Sequence, residues 1–330
     1  MVESLTEPAA RVELAGLELA HPVMNGSGTF DAIAAERVFG EELHAQFPFS
    51  AFVSKTITVA PREGNPPPRL WETPAGMINS IGLPNKGLEG FLAGDLPVLS
   101  RLPVPLVVSV AGFSHDEFAM LVGTVGERPE VSAIELNVSC PNVKSGCVMG
   151  AEPRETWSLM ERLRPLTTKP LIVKLTPNVS DVVPVARAAA ETGADAVSLI
   201  NTLRGLAIDP RSNRRWLGAG QGGLSGPAVR AVALEMVYAV AAATQVPLVG
   251  MGGIQSGRDA LDFIVAGARC VAVATENFRD PAAAMRVRTE LSLQLANAGY
   301  ASVADAVGAA HDGPARDSKA AQMQEKSQPT

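Results

Sequence analysis

The sequence predicts an α/β fold: a single (β/α)8 barrel with an N-terminal β-hairpin and long loops at the C-terminal face of the barrel. Three observations lead there. Eight short apolar runs recur along the chain with amphipathic segments between them, the rhythm of β–α units. Most runs are apolar throughout rather than alternating, as strands of a parallel sheet covered on both faces must be. The residues with chemical potential fall where the runs end, and a barrel brings all eight C-terminal strand ends to one mouth. A doubly wound open sheet, the runner-up, would spread the same residues along an edge.

In chain order, residues 12–19 alternate apolar and polar types around Gly16, which predicts the hairpin. The eight runs are 22–26, 51–56, 106–111, 133–138, 171–176, 196–201, 247–252 and 270–275. Amphipathic stretches at 115–127, 155–166, 182–192, 227–243 and 258–266 supply helices between them. Helix-start chemistry appears at Ser180-Asp181 and Ser225-Gly226-Pro227. Two connections are much longer than the rest: 59–87, carrying PREGNPPPR and ETPAGMINSIGLPNKG, and 203–223, carrying RGLAIDPRSNRRWLGAGQGG. Both read as loop chemistry throughout, and both leave C-terminal strand ends, where long connections are commonly functional. Residues 1–308 are expected to form one catalytic barrel domain, and 309–330 a polar, disordered tail.

Composition removes several classes of function. Lys plus Arg number 28 against 34 Asp plus Glu, a net charge of −6 without a basic cluster, so the footprint for nucleic acid or an acidic membrane is missing. The N-terminus MVESLTEPAA is acidic and leads into no apolar core of a secretion signal. The longest charge-free stretch, 236–257, contains Pro247 and several glycines and reads as helix, turn and strand rather than as a span. Cys140, Cys147 and Cys270 form no C-x-x-C pair, and His21, His44, His115 and His311 are far apart. A disulfide framework, a zinc ribbon and a self-contained iron–sulfur site are therefore not expected. The expectation is a cytoplasmic enzyme of small molecules without a protein-ligated metal.

The segment ELNVSCPN, 135–142, is the most informative. A lone Cys is often a small buried thiol. Its position just past a strand, with Pro141 stopping any helix, favours a reactive thiol on a loop. Asn137 and Asn142 flank it, and Asn79 and Asn201 sit on the same rim. One such Asn is usually a turn or cap residue. Four converging on one mouth suit a ligand with alternating C=O and N–H groups, such as a pyrimidine ring. Lys55 and Lys174 interrupt apolar strands and need either an anion or solvent at the rim. Glycines in GMGGI after the seventh run, Ala274-Thr275 after the eighth, and GGLSG before a helix suit a phosphate. Residues 218–223 fit G-x-G-x-x-G, but RSNRRWL before them is no buried strand, so the dinucleotide fingerprint is incomplete.

So arranged, the chain resembles the class 1 dihydroorotate dehydrogenases, FMN enzymes on a (β/α)8 barrel. The likeness spans roughly residues 12–300 and rests on MNGSGTF, KTIT, PREGNPPPR, ETPAGMINSIGLPN, ELNVSCPNVKSG, VKLTPNV, INTLRG, GGLSGPA and GMGGI, in that order. PREGNP and CPNVK are most similar to class 1B, the branch that reduces NAD through a second subunit. The resemblance implies that Cys140 is the general base for carbon 5 of dihydroorotate, while a hydride leaves carbon 6 for the flavin. It places Lys55, Asn79, Asn137, Asn142, Asn201, Thr202 and the segment Ser80, Ile81, Gly82, Leu83 against substrate. It places Ser27, Lys55, Thr56, Ser109, Asn137, Lys174, Ile200, Gly226, Gly252, Gly253, Ala274 and Thr275 against one noncovalent FMN. The loop carrying Cys140 is expected to close over the substrate.

The same resemblance implies a homodimer core and a partner subunit carrying FAD and a 2Fe–2S cluster, with no nucleic acid and no membrane. The activity implied is oxidation of dihydroorotate to orotate in de novo pyrimidine biosynthesis. Three positions depart from the family pattern: Ser109 for a usual Asn, Ala274 for a usual Gly, and Cys147 for a common Gly. The quinone-linked class is disfavoured, since its base is Ser and it carries an apolar N-terminal extension. The alternatives are the fumarate-linked class 1A enzyme, a related dihydropyrimidine-type reductase, and a flavin-binding barrel without catalysis.

Overall fold

A computed structural model of the chain describes residues 7–139 and 149–311. All eight apolar runs contain strands: Val23–Asn25, Phe52–Val53, Leu106–Val110, Ala133–Asn137, Leu171–Lys174, Ala196–Leu199, Leu248–Met251 and Cys270–Val273. Seven seams between them are parallel ladders running from the second strand through the eighth and back to the first. The strands are buried along their whole length, as their apolar composition requires.

The eighth seam, between the first and second strands, is closed by a side chain. Asn25 Nδ2 donates to the Val53 carbonyl at 2.8 Å, and Asn25 Oδ1 accepts from the Val53 N–H at 2.8 Å. A carboxamide carries the same donor and acceptor as a peptide group, so Asn25 stands in for a missing ladder rung. Ser50 N–H adds a bond to the Val23 carbonyl at 3.0 Å. The result is a barrel and not an open sheet.

Helices follow the strands where the amphipathic stretches predict them: His115–Gly126, Pro153–Leu163, Val183–Glu191, Arg230–Ala243 and Gly257–Val265. Their starts obey local chemistry. Ser114 caps the first of these by accepting from Glu117 N–H, and Ser256 with Asp259 forms a capping box on the last. The hairpin pairs Val12–Leu14 with Leu17–Leu19. Its turn residues Ala15 and Gly16 have φ of 53° and 79°, the backbone of a type I′ turn. Glu13 accepts from Arg269, the residue before the eighth barrel strand, at 3.0 Å. The hairpin therefore lies at the N-terminal end of the barrel, opposite the mouth.

The two long connections are not loop throughout. Leu203–Gly205, Gly222–Ser225, Gly76–Asn79 and Leu70–Thr73 form a four-stranded antiparallel sheet in that order. Its own small core joins Ile78, Ala207 and Leu217 with Trp71, Trp216 and Leu224. The Trp71 and Trp216 rings meet edge-on at 5.1 Å, and the Trp216 indole donates to the Leu70 carbonyl. Each strand is short and bordered by Gly or Pro, and the central pairing joins Asn79 with Gly223, so the local sequence carries only a weak strand signal. Past Gly308, residues Ala309–His311 form one 3-10 turn, and the His311 ring stacks on Tyr238 at 4.0 Å. Residues 312–330 of the expected tail lie outside the described residues. Among the described residues no helix is long and apolar enough to cross a membrane.

Candidate active site

The C-terminal ends of the barrel strands and the underside of the four-stranded sheet enclose a cavity of about 580 Å³, well inside the roughly 300–1,000 Å³ typical of small-molecule sites. Ser27, Lys55, Thr56, Asn137 and Lys174 line it from the first, second, fourth and fifth strand ends. Ile200, Asn201 and Thr202 come from the sixth, Gly252 and Gly253 from the seventh, and Ala274 and Thr275 from the eighth. Asn79, Gly226 and the segment Ile81, Gly82, Leu83 complete the roof and one side. Two expected contacts do not line it. Ser80 is buried behind that segment, where its hydroxyl accepts from Asn65 Nδ2 at 2.9 Å. Ser109 is fully buried below the floor, bonded to Glu135 and Thr56 at 2.9 Å each. Cys140, Asn142 and Cys147 lie outside the described residues.

Charge in the floor is concentrated in one buried pair. The Lys174 ammonium donates to Ser27 Oγ at 3.0 Å and stands 3.7 Å from Glu135 Oε1. Glu135 also accepts from Ser109 and, at 3.3 Å, from Ser198. Burying either charge alone would cost several kcal/mol, of order ~3–5 when one partner is removed. An ammonium has three donors, so Lys174 keeps capacity for a ligand. Glu135 is the residue that sequence reasoning missed, although it breaks an apolar strand just as Lys55 and Lys174 do.

Lys55 differs. Its side chain is solvent-accessible within the cavity, yet burial lowers its pKa, with the Asp31 carboxylate pulling the other way. Among the described residues it has no hydrogen-bonded or ion-paired partner. A partly desolvated cation that forms no ion pair with the nearby carboxylate favours an anionic ligand.

The three described asparagines are brought together as expected. Asn201 Nδ2 donates to Ser139 Oγ at 2.8 Å and to Asn137 Oδ1 at 3.3 Å, while Asn201 Oδ1 accepts from the Thr202 N–H at 2.8 Å. Asn137 Nδ2 reaches Thr56 Oγ1 at 3.4 Å, and Asn79 Nδ2 reaches the Gly223 carbonyl at 3.3 Å. These bonds fix the amide planes from one side. Apolar walls come from Met77, Leu224, Val229 and Met251, residues without a chemical signature in the sequence because the long-range sheet puts two of them there.

The glycine turns fit a group bound through backbone. Gly253 has φ of 76°, and a Cβ there would stand 2.8 Å from the Gly226 carbonyl and 2.9 Å from Arg230 Cβ, so two turns meet where only glycine fits. Ala274 is tolerated because its methyl faces Gly26, where a Cβ would approach it to 2.9 Å. Apolar walls for a planar ring, two lysines with donor capacity and side-chain-free turns together suit a flavin mononucleotide. The buried Cys270 is of another kind: burial pushes its thiol pKa far up, and it packs in the core as an inert hydrophobe. Among the described residues no three His, Cys, Asp or Glu side chains gather as a metal site.

The family described as Dihydroorotate dehydrogenase matches residues 9–295 of the chain. The protein named "Dihydroorotate dehydrogenase B (NAD(+)), catalytic subunit" from Pelobacter propionicus is 48% identical over 304 residues, 92% of this chain and 99% of that one. Proteins of the same name from Desulforudis audaxviator and Geobacter metallireducens are 48% and 45% identical over 304 and 309 residues. They cover 91% and 92% of this chain and 97% and 99% of their own.

Proposed function

This chain belongs to the dihydroorotate dehydrogenase family, and from that membership we propose that it is the FMN-dependent catalytic subunit of an NAD-linked dihydroorotate dehydrogenase. It oxidises dihydroorotate to orotate in pyrimidine biosynthesis, in the cytoplasm. The observation that carries the reading is the single cavity in which Lys55, Lys174, Asn79, Asn137 and Asn201 meet three glycine turns.

Bound FMN supplies the acceptor for the hydride lost from carbon 6. Ser27, Thr56, Lys174 and Ile200 would hold its ring, and Gly226, Gly252, Gly253, Ala274 and Thr275 its phosphate end. The substrate's carboxylate provides the anion that Lys55 lacks. Asn79, Asn137, Asn201 and Thr202, with Asn142, would satisfy the ring amides and fix the face on which carbon 6 reacts. Cys140 takes the proton from carbon 5, so the carbon 5–carbon 6 single bond becomes double with the proton on sulfur. An ordinary thiol pKa of ~8.5 makes Cys a usable base near neutral to mildly alkaline pH. The roof sheet keeps water from the reacting carbons. We assign residues 1–308 to one catalytic domain. A homodimer of this chain would dock a partner subunit carrying FAD and a 2Fe–2S cluster, because the chain itself lacks a strand-led dinucleotide fingerprint.

The test is anaerobic. Acid release from the purified chain should yield FMN, and dihydroorotate should drive reduction of a dye but negligible reduction of NAD until the partner subunit is added. Release of FAD would overturn the cofactor, efficient fumarate reduction would move the chain to class 1A, and NAD reduction by the isolated chain would remove the partner.

A further inference from the structure

Behind the glycine turns lies a polar network whose side chains are not among those lining the cavity. Glu276 directly follows Thr275 and is 5% exposed. Its Oε2 accepts from Gln255 Nε2 at 2.8 Å, and its Oε1 accepts from Arg279 Nε at 3.0 Å. Gln255 lies two residues past Gly253 and is held at three points. Its backbone N–H donates to Asp259 Oδ2 at 3.0 Å, its carbonyl accepts from Arg286 at 2.7 Å, and its side chain reaches Glu276. Asp259 is itself buried and ion-paired with Arg230, which begins the helix after the Gly226 turn. Arg286 is paired with Asp280 at 2.9 Å. The turns at Gly226, Gly252–Gly253 and Thr275 are thus tied in series: Arg230 pairs with Asp259, Asp259 accepts from the Gln255 N–H, and the Gln255 side chain donates to Glu276.

Resting on the reading above that this cavity takes FMN, we infer that Gln255 and Glu276 are positioning residues that set the preference for a phosphorylated over a dephosphorylated flavin. Backbone N–H groups cannot follow a ligand by changing rotamer. A phosphomonoester held between two turns is bound only as well as the turns are spaced before it arrives. The Gln255–Glu276 bond links the seventh and eighth strand ends directly, and Arg286 bridges the same ends, donating to the Gln255 carbonyl at 2.7 Å and standing 3.6 Å from Glu276 Oε1. The ring end of the cavity, at Lys174 and Ile200, has no part in that link, so a flavin without phosphate is insensitive to it.

The experiment titrates the flavin-stripped protein with FMN and, separately, with riboflavin, following quenching of flavin fluorescence. Gln255→Ala and Glu276→Gln should each weaken FMN binding roughly tenfold, the effect of losing one charge-assisted hydrogen bond, while riboflavin affinity stays within about twofold. The FMN-to-riboflavin ratio is the readout, since a merely loosened fold lowers both affinities together. An unchanged ratio in Gln255→Ala overturns the inference, and that variant decides alone if Glu276→Gln does not fold. Wild-type protein that binds riboflavin as tightly as FMN would instead overturn the FMN reading itself, and the inference with it.

Discussion

Replacing Asn25 tests whether one side chain closes the barrel. Asn25→Ala removes its bonds to the Val53 carbonyl and N–H, both 2.8 Å, and a third to the Gly26 carbonyl at 3.1 Å. Asn25 has no exposed surface and Val53 only 4%, so both Val53 backbone groups are left unpaired in the core. Each buried orphan costs about 1–3 kcal/mol, and the two together roughly 2–6 kcal/mol, against a total stability of about 5–15 kcal/mol for a typical domain. Asn25→Leu separates hydrogen bonding from volume, because it fills the space but restores neither bond. Urea unfolding followed by circular dichroism should show both variants with a lower midpoint and an unchanged slope. An Asn25→Leu protein within about 0.5 kcal/mol of wild type would refute the carboxamide rung.

Two further outcomes follow from single residues. His21 is buried and its pKa is lowered from 6.5 to about 3, first by burial and then by Arg288. The unfolded chain takes up this proton near its ordinary value while the native chain does not. The residue's contribution is therefore complete above that value and shrinks as pH falls towards about 3, by up to ~1.4 kcal/mol per pH unit. His21→Asn keeps an acceptor for the Val23 N–H and should narrow the gap between melting temperatures at neutral and mildly acidic pH; an equal gap in both proteins rejects the assignment. Cys140→Ala should slow reduction of the bound flavin by dihydroorotate by about 10²–10⁴-fold in stopped flow without loss of flavin, Cys140→Ser should regain rate only at high pH, and Cys147→Ser should change little. Fast reduction by Cys140→Ala would exclude it as the base.

What the sequence discloses depends on how local each signal is. The eight apolar runs all become barrel strands because continuous burial leaves its mark within five or six residues. Lys55, Lys174, Asn137 and Asn201 stand out because each is polar at the end of such a run, and the barrel gathers those ends. Asn25 has the same signature and a different role: it faces a neighbouring strand and not a ligand. Ser109 points below the floor because Glu135 and Thr56 are there to bond it, which requires knowing three strands at once. The roof is least legible, since Asn79 finds its partner strand 144 residues further on.

That distance has a consequence for how the protein is made. The hairpin of Leu70–Thr73 and Gly76–Asn79 can form as soon as it leaves the ribosome, but the far edge of Gly76–Asn79 stays open until Gly222–Ser225 appears. At ~5–20 residues per second, the 144 residues between Asn79 and Gly223 take on the order of 10 s to synthesise. An unpaired strand edge is a template for pairing with another chain. The nascent protein therefore carries this open edge for much of its synthesis, and a truncated chain ending before the sixth β–α unit would keep it permanently.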